Sequence, residues 1–233
     1  MLDILRDKKV IFFDVGYTLD KPASGDWMFI GKFLELAGDK LKQKSEAEIK
    51  KAFDTGLRYL TENHLVITVE EEIRQFCEYY SIISEQLDLG LSEAEREEIA
   101  RDRACNMRNY IGYPGIEEVL SELGKTHRLG IISDTWPSIE QQLDYLGVLR
   151  YFSFHTYSCN LGTFKPDRRM YLDALNQCGV PASETVFIDD GVRNLDGAAA
   201  LGITPILIAA NPASDVETRH LKIRDLRELI REE

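Results

Sequence analysis

Cysteine is scarce in this chain. Cys77, Cys105, Cys159 and Cys178 are scattered, and no two form a Cys-x-x-Cys pair or a Cys/His group with zinc spacing. That pattern argues for reduced, packed thiols in a cytoplasm rather than for a zinc site or a catalytic cysteine. Basic charge is also short: 28 Lys and Arg stand against 40 Asp and Glu, a net charge of -12. Such a balance excludes a nucleic-acid backbone as the default partner and favours a small molecule. No apolar run nears the roughly 20 residues that span a bilayer. Residues 1–10 carry mixed charges, with no hydrophobic signal core and no cleavage pattern. The expectation is a cytoplasmic protein without a membrane partner. Internal repeats, low-complexity tracts and a Gly-x-Gly-x-x-Gly fingerprint are missing as well.

What is present is ordinary globular material, 44% hydrophobic and 29% charged over 233 residues. That is enough for one large domain or for a domain with a sizeable insertion. Val10-Ile11-Phe12-Phe13 is a continuous apolar run of the kind buried on both faces of a parallel sheet, and it stops at Asp14. Leu129–Ile132 stops in the same way at Ser133-Asp134, and Thr185–Ile188 at Asp189-Asp190. Residues 205–208 read as a further strand, and 151–155 as a fifth near the sheet edge. Between them, Ile116, Val119, Leu120 and Leu123, and then Tyr171, Leu172 and Leu175, fall at helical spacing. Strands alternating with helices predict a doubly wound parallel-sheet α/β core.

From Ala23 to Tyr110 the rhythm changes. Stripes such as Phe29, Phe33, Leu36 and Ile73, Phe76, Tyr79, Tyr80 predict helices, so an α-helical insertion is expected inside the core. The core is then 1–22 and 111–233, the insertion 23–110, with a hinge near Gly112-Tyr113-Pro114-Gly115. Residues 65–69 read either as a strand or as a buried segment between helices, and the C-terminal segment reads as a helix.

In open α/β sheets, ligands bind beyond the carboxyl ends of the strands. Asp14, Asp189 and Asp190 would converge there, and three carboxylates in one place call for a cation. Magnesium suits oxygen ligands that face a phosphate.

The run Phe13-Asp14-Val15-Gly16-Tyr17-Thr18-Leu19 resembles the first motif of the haloacid dehalogenase superfamily. Ile131-Ile132-Ser133-Asp134 resembles the second, Lys165-Pro166 the third, and Phe187-Ile188-Asp189-Asp190 with Asn194 and Gly197-Ala198 the fourth. The helical insertion corresponds to the family's type-1 cap. The resemblance implies a Rossmann-like core and a phosphatase acting on a small phosphorylated metabolite. Asp14 would be the nucleophile, with Lys165 and Ser133 as its catalytic partners. Ser133, Asp134, Thr18 and Lys165 would bind phosphate, and Asp14, Gly16 through its carbonyl, Asp189 and Asp190 would bind magnesium. It implies a monomer or homodimer.

One position departs from the motif. Most phosphatases of the superfamily carry a second aspartate two residues after the nucleophile, where this chain has Gly16. Glycine keeps the carbonyl and loses the acid, a loss of about 10²- to 10⁴-fold where nothing replaces it. Asp20, Tyr17 and His64 are candidate substitutes. Three readings stand beside the phosphatase: a 2-haloacid dehalogenase, which needs neither the acid nor metal; a phosphonate hydrolase, which would need a cap lysine; and a non-catalytic protein that binds phosphate and metal. The lysines at 32, 40, 42, 44, 50 and 51 are spaced as a solvated helix face.

Overall fold

A computed structural model describes residues 1–231. In chain order the strands and helices are β1 (Val10–Phe13), β2 (Asp20–Pro22), α1 (Gly31–Leu41), α2 (Glu46–Glu62), α3 (Val69–Gln86), α4 (Glu93–Cys105), β3 (Tyr110–Gly112), α5 (Ile116–Leu123), β4 (Arg128–Ser133), α6 (Ile139–Tyr145), β5 (Phe152–Tyr157), α7 (Ser158–Leu161), α8 (Arg168–Cys178), β6 (Thr185–Asp189), α9 (Val192–Ala199), β7 (Thr204–Ile208) and β8 (Leu221–Ile223). The chain divides into two compact units. One holds Met1–Lys21, Gly112–Thr135 and Leu143–Glu233; the other holds Pro22–Ile111 together with Trp136–Gln142.

The first unit is built on a six-stranded sheet of order β5-β4-β1-β6-β7-β8, parallel throughout. The central strands are apolar without alternation because helices cover both faces: all four residues of β1 and all five of β6 are buried. Phe12, Met170, Tyr171, Phe187, Leu195 and Leu207 belong to one of its cores. The buried stripe of α8 is Met170, Tyr171, Ala174 and Cys178, one residue out of step with the Leu172 and Leu175 of the periodicity reading. The chain winds outward from β1 to β4 and β5, then returns to β6 on the other side of β1 and winds out to β8. The switch point therefore lies at β1, and the register places Asp14 level with Asp189.

The second unit is helical. Helix α3 packs on both α2 and α4, and α1 packs on α4. Three of these helices open with complete capping boxes, Ser45 with Glu48, Thr68 with Glu71 and Ser92 with Glu95. Phe33, Phe76, Tyr79, Tyr80, Ile83 and Ile99 fill its core. Gly56 permits the close approach of α2 to α3, since a Cβ there would stand 2.6 Å from Tyr79 Cε2.

One open alternative is resolved and one expectation is corrected. Residues 65–67 form no strand: Glu71 accepts the amides of Ile67 and Thr68 to cap α3, which leaves Leu65 and Ile67 exposed around the buried Val66. The C-terminal segment is β8 followed by a short 3-10 turn, Leu226–Leu229, not an α-helix. Leu221–Ile223 finds an open edge on β7, and Asp225 with Glu228 closes a capping box around a single turn.

Candidate active site

The α/β unit gathers its functional groups by strand termination. Asp14 follows β1, and its amide donates to the Ile188 carbonyl at 2.9 Å, which ties the end of β1 to β6. Beyond it, the amides of Thr18, Leu19 and Asp20 all point to the Val15 carbonyl, and the Tyr17 amide donates to Asp20 O at 2.7 Å. That tight turn holds Tyr17 at φ 55°, a left-handed conformation that a β-carbon makes unfavourable. The same turn pairs Gly16 with Asp20.

Lys165 is the hub. Its Nζ lies 2.7 Å from Asp14 Oδ1 and 2.7 Å from Asp189 Oδ2, and its amide donates to Asp134 Oδ1 at 2.9 Å. Its side chain is almost completely buried. Burial alone would lower the Lys165 ammonium, but the carboxylates of Asp14, Asp189 and Asp134 outweigh that effect and hold it charged. Asp14, conversely, is pushed well above the ordinary carboxylate range by burial; Lys165 draws it down, and Asp189 and Asp190 push it up again. Burial also raises Asp190 and Asp134.

Further contacts orient these groups. Asp189 Oδ1 accepts the Gly191 amide at 2.7 Å and Asn194 Nδ2 at 3.1 Å. Asp190 Oδ2 accepts the Ser214 hydroxyl at 2.8 Å. Tyr171 Oη donates to the Asn194 carbonyl at 2.8 Å. Ser214 and Tyr171 carry no motif, so only the folded chain reveals their part.

Of the site residues read from the sequence, Asp14, Lys165, Asp189 and Asp190 come together directly, and Asp134 joins them through the Lys165 amide. Ser133 ends β4, buried, one residue beyond the level of Asp14. Thr18 differs: it is wholly buried, and its hydroxyl meets no hydrogen-bond partner in the described structure. Gly197 serves close packing, for a Cβ there would lie 2.7 Å from Pro166 Cβ.

The donor set fits a hard cation. Asp14, Asp189 and Asp190 each offer an oxygen, all within 4.8 Å of one another. Three carboxylates against one ammonium leave negative charge that a divalent ion with oxygen ligands would neutralise. Among the described residues no helix is long and apolar enough to cross a membrane.

Comparison with known proteins places the chain in a family. Residues 8–202 match the family of haloacid dehalogenase-like hydrolases. Among curated proteins, the GMP/IMP nucleotidase YrfG of Escherichia coli (strain K12) is 28% identical over 171 residues, 70% of this chain and 71% of that protein. Among solved structures, a HAD phosphatase from Thermococcus onnurineus matches with a TM-score of 0.63 and 24% identity, covering 95% of each chain. A 2-haloacid dehalogenase from Pseudomonas syringae pv. Tomato DC3000 matches with a TM-score of 0.63 and 22% identity, covering 96% of each. At those identities the two structures speak to a shared fold.

Proposed function

The chain belongs to the haloacid dehalogenase-like hydrolases, and from that premise we propose that it is a magnesium-dependent phosphatase of small phosphorylated metabolites, working through an aspartyl-phosphate on Asp14. The observation that carries this reading is the buried Lys165 ammonium shared between Asp14 and Asp189 at 2.7 Å each, beside a third carboxylate, Asp190. A nucleophile next to a fixed cation and a divalent-ion donor set is what phosphoryl transfer requires, because charge on the equatorial oxygens must be met by positive groups already in place. The likeness to a protein named as a nucleotidase supports a phosphomonoester as substrate.

Asp14 attacks phosphorus, the bond to the leaving oxygen breaks, and the phosphoryl group rests on the Asp14 carboxylate. Water then attacks the same phosphorus, the bond to Asp14 breaks, and inorganic phosphate and the free carboxylate are restored. Lys165 neutralises the non-bridging oxygens and favours the ionised form of Asp14, opposing in part the burial that raises it. Ser133 and the Lys165-bound Asp134 shape the phosphate end of the site. Asp14, Asp189, Asp190 and the Gly16 carbonyl would hold magnesium, which when bound screens the phosphate charge from the carboxylates and polarises the phosphoryl group. Gly16 offers no side-chain proton, so the leaving oxygen is protonated by another donor or leaves as an anion.

The acid pair favours this over halide displacement, which needs no metal; Asp189 and Asp190 are both retained and both engaged. The test compares an activated aryl phosphate with an alkyl phosphate, with and without magnesium, in the natural protein, Asp14→Asn and Gly16→Asp. Magnesium-dependent release of phosphate, lost in Asp14→Asn and faster on the aryl ester, is the expected result. Metal-independent halide release from a 2-haloacid would overturn it, and so would inert phosphate esters in a protein that still binds magnesium and phosphate.

A further inference from the structure

The chain enters the helical unit a second time. Thr135 is the last residue of its α/β segment, and Trp136–Gln142 belongs to the helical unit. This short return begins three residues after Ser133, and every residue from Asp134 to Trp136 has a partner. Asp134 accepts the Lys165 amide. The Thr135 amide donates to Ser158 Oγ at 2.7 Å, and the Ser158 hydroxyl donates back to the Thr135 carbonyl at 3.1 Å. Trp136 Nε1 donates to Gln75 Oε1 at 2.6 Å, its ring meets Phe76 edge-on, and the Arg103 guanidinium lies 5.0 Å from its centroid.

At the end of this stretch stands Glu72, on α3, with no exposed surface. Its Oε1 accepts Arg103 Nη1 at 2.8 Å and the Ser138 hydroxyl at 2.9 Å, and its Oε2 accepts the Ser138 amide at 2.8 Å. Arg103 in turn lies 3.6 Å over the Phe76 ring. If the task of Glu72 were to join α3 to α4 through Arg103, packed apolar side chains would do so at least as well, because removing two charges from water is expensive. Both oxygens, however, reach Ser138. The carboxylate is spent on an amide and a hydroxyl of the return segment, donors that an apolar residue could not satisfy.

We propose that Glu72 is a positioning residue: by clamping Ser138 from inside the helical unit it fixes the path of the loop that leaves β4 and so sets the placement of Ser133 and Asp134 at the phosphate site. The inference rests on the phosphatase reading for its consequence in turnover. Its structural part, the loop held by Glu72, stands apart from that reading.

The experiment measures kcat and KM on an activated aryl phosphate with magnesium for Glu72→Gln and Ser138→Ala, together with hydrogen exchange at the amides of 133–138. Gly56→Ala, which crowds Tyr79 in the same unit without touching the return segment, reports plain loss of stability. Glu72→Gln and Ser138→Ala should each lower kcat about 10- to 100-fold, the effect of a misplacement near 1 Å, with a smaller change in KM and faster exchange at 133–138. The double variant should lose little more than either alone. Gly56→Ala should lower Tm and leave kcat and the exchange of that loop as they are. Should Glu72→Gln fail to fold, Ser138→Ala removes one hydrogen bond only and keeps the test. Unchanged exchange at 133–138 in the variants overturns the proposal, as does a kcat loss that Gly56→Ala matches. A natural protein inert towards every phosphate ester would sink the phosphatase reading alone, leaving exchange to judge the clamp.

Discussion

Gly197 and Pro166 approach so closely that a methyl group on Gly197 would sit 2.7 Å from Pro166 Cβ and 3.0 Å from Tyr171 Oη. Helix α9, which carries Asn194 towards Asp189, is thereby seated against the residue that follows Lys165. Gly197→Ala is expected to cost about 1 to 3 kcal/mol of stability by overpacking and to lower kcat, because the neighbour that must give way is bonded to Lys165. Urea denaturation and steady-state kinetics on the same preparation check both parts.

Lys165→Met should abolish most turnover, about 10²- to 10³-fold in kcat, as expected for removal of a fixed charge from the reacting oxygens. It also strips the ammonium shared by Asp14 and Asp189, so their repulsion falls to the metal to offset. Saturating magnesium should therefore raise Tm more in Lys165→Met than in the natural protein, and chelator should reverse the gain in both. Differential scanning calorimetry with and without magnesium reads the difference; an equal gain would show that Lys165 does not balance these acids.

Ser214 holds Asp190 through its hydroxyl. Groups that orient a metal ligand are worth about 10- to 100-fold in affinity. Ser214→Ala should weaken magnesium binding about 10-fold and shift the magnesium dependence of kcat to higher concentration without changing its plateau. Calorimetric titration with magnesium measures the first effect, and activity against metal concentration the second.

His64 is buried edge-on against Trp136, and burial lowers its pKa from the ordinary 6.5 to about 4. The folded protein thus holds it neutral while the unfolded chain protonates it below about 6.5, so its contribution is full above that pH and is lost as pH falls towards 4. Allowing for partial solvent access, the loss at pH 5 should be about 1 to 2 kcal/mol. Unfolding free energies at pH 7.5 and 5 should show that increment in the natural protein and lack it in His64→Gln.

The carboxylate cluster was legible in the sequence because both-sided burial forces strands into unbroken apolar runs, and the first polar residue after each run marks a strand end. Asp14, Ser133 and Asp189 stand at such ends. Lys165 has no such flag; only its motif singled it out, since its two ion pairs join residues far apart in the chain. Ser214 is a lone serine in a loop, and nothing local links it to Asp190. Strands β2 and β3 have three residues each, too short for a period to show. The capping boxes at Ser45, Thr68 and Ser92 follow the pattern Ser/Thr-x-x-Glu, and the one at Thr68 marks the start of a helix at Val69 and leaves 65–67 as a connection. Trp136–Gln142 was the hardest to read, because Ser138 and Glu72 are 66 residues apart.

That return segment bears on how such proteins can be recombined. A chimera that grafts residues 22–111 onto the α/β half of a relative would import Glu72, Gln75 and Arg103 while leaving Trp136 and Ser138 behind, stranding a buried acid and its guanidinium among foreign side chains. The transferable module is discontinuous, two stretches that have to travel together, and the first stretch grafted alone would arrive in a poorly folded protein.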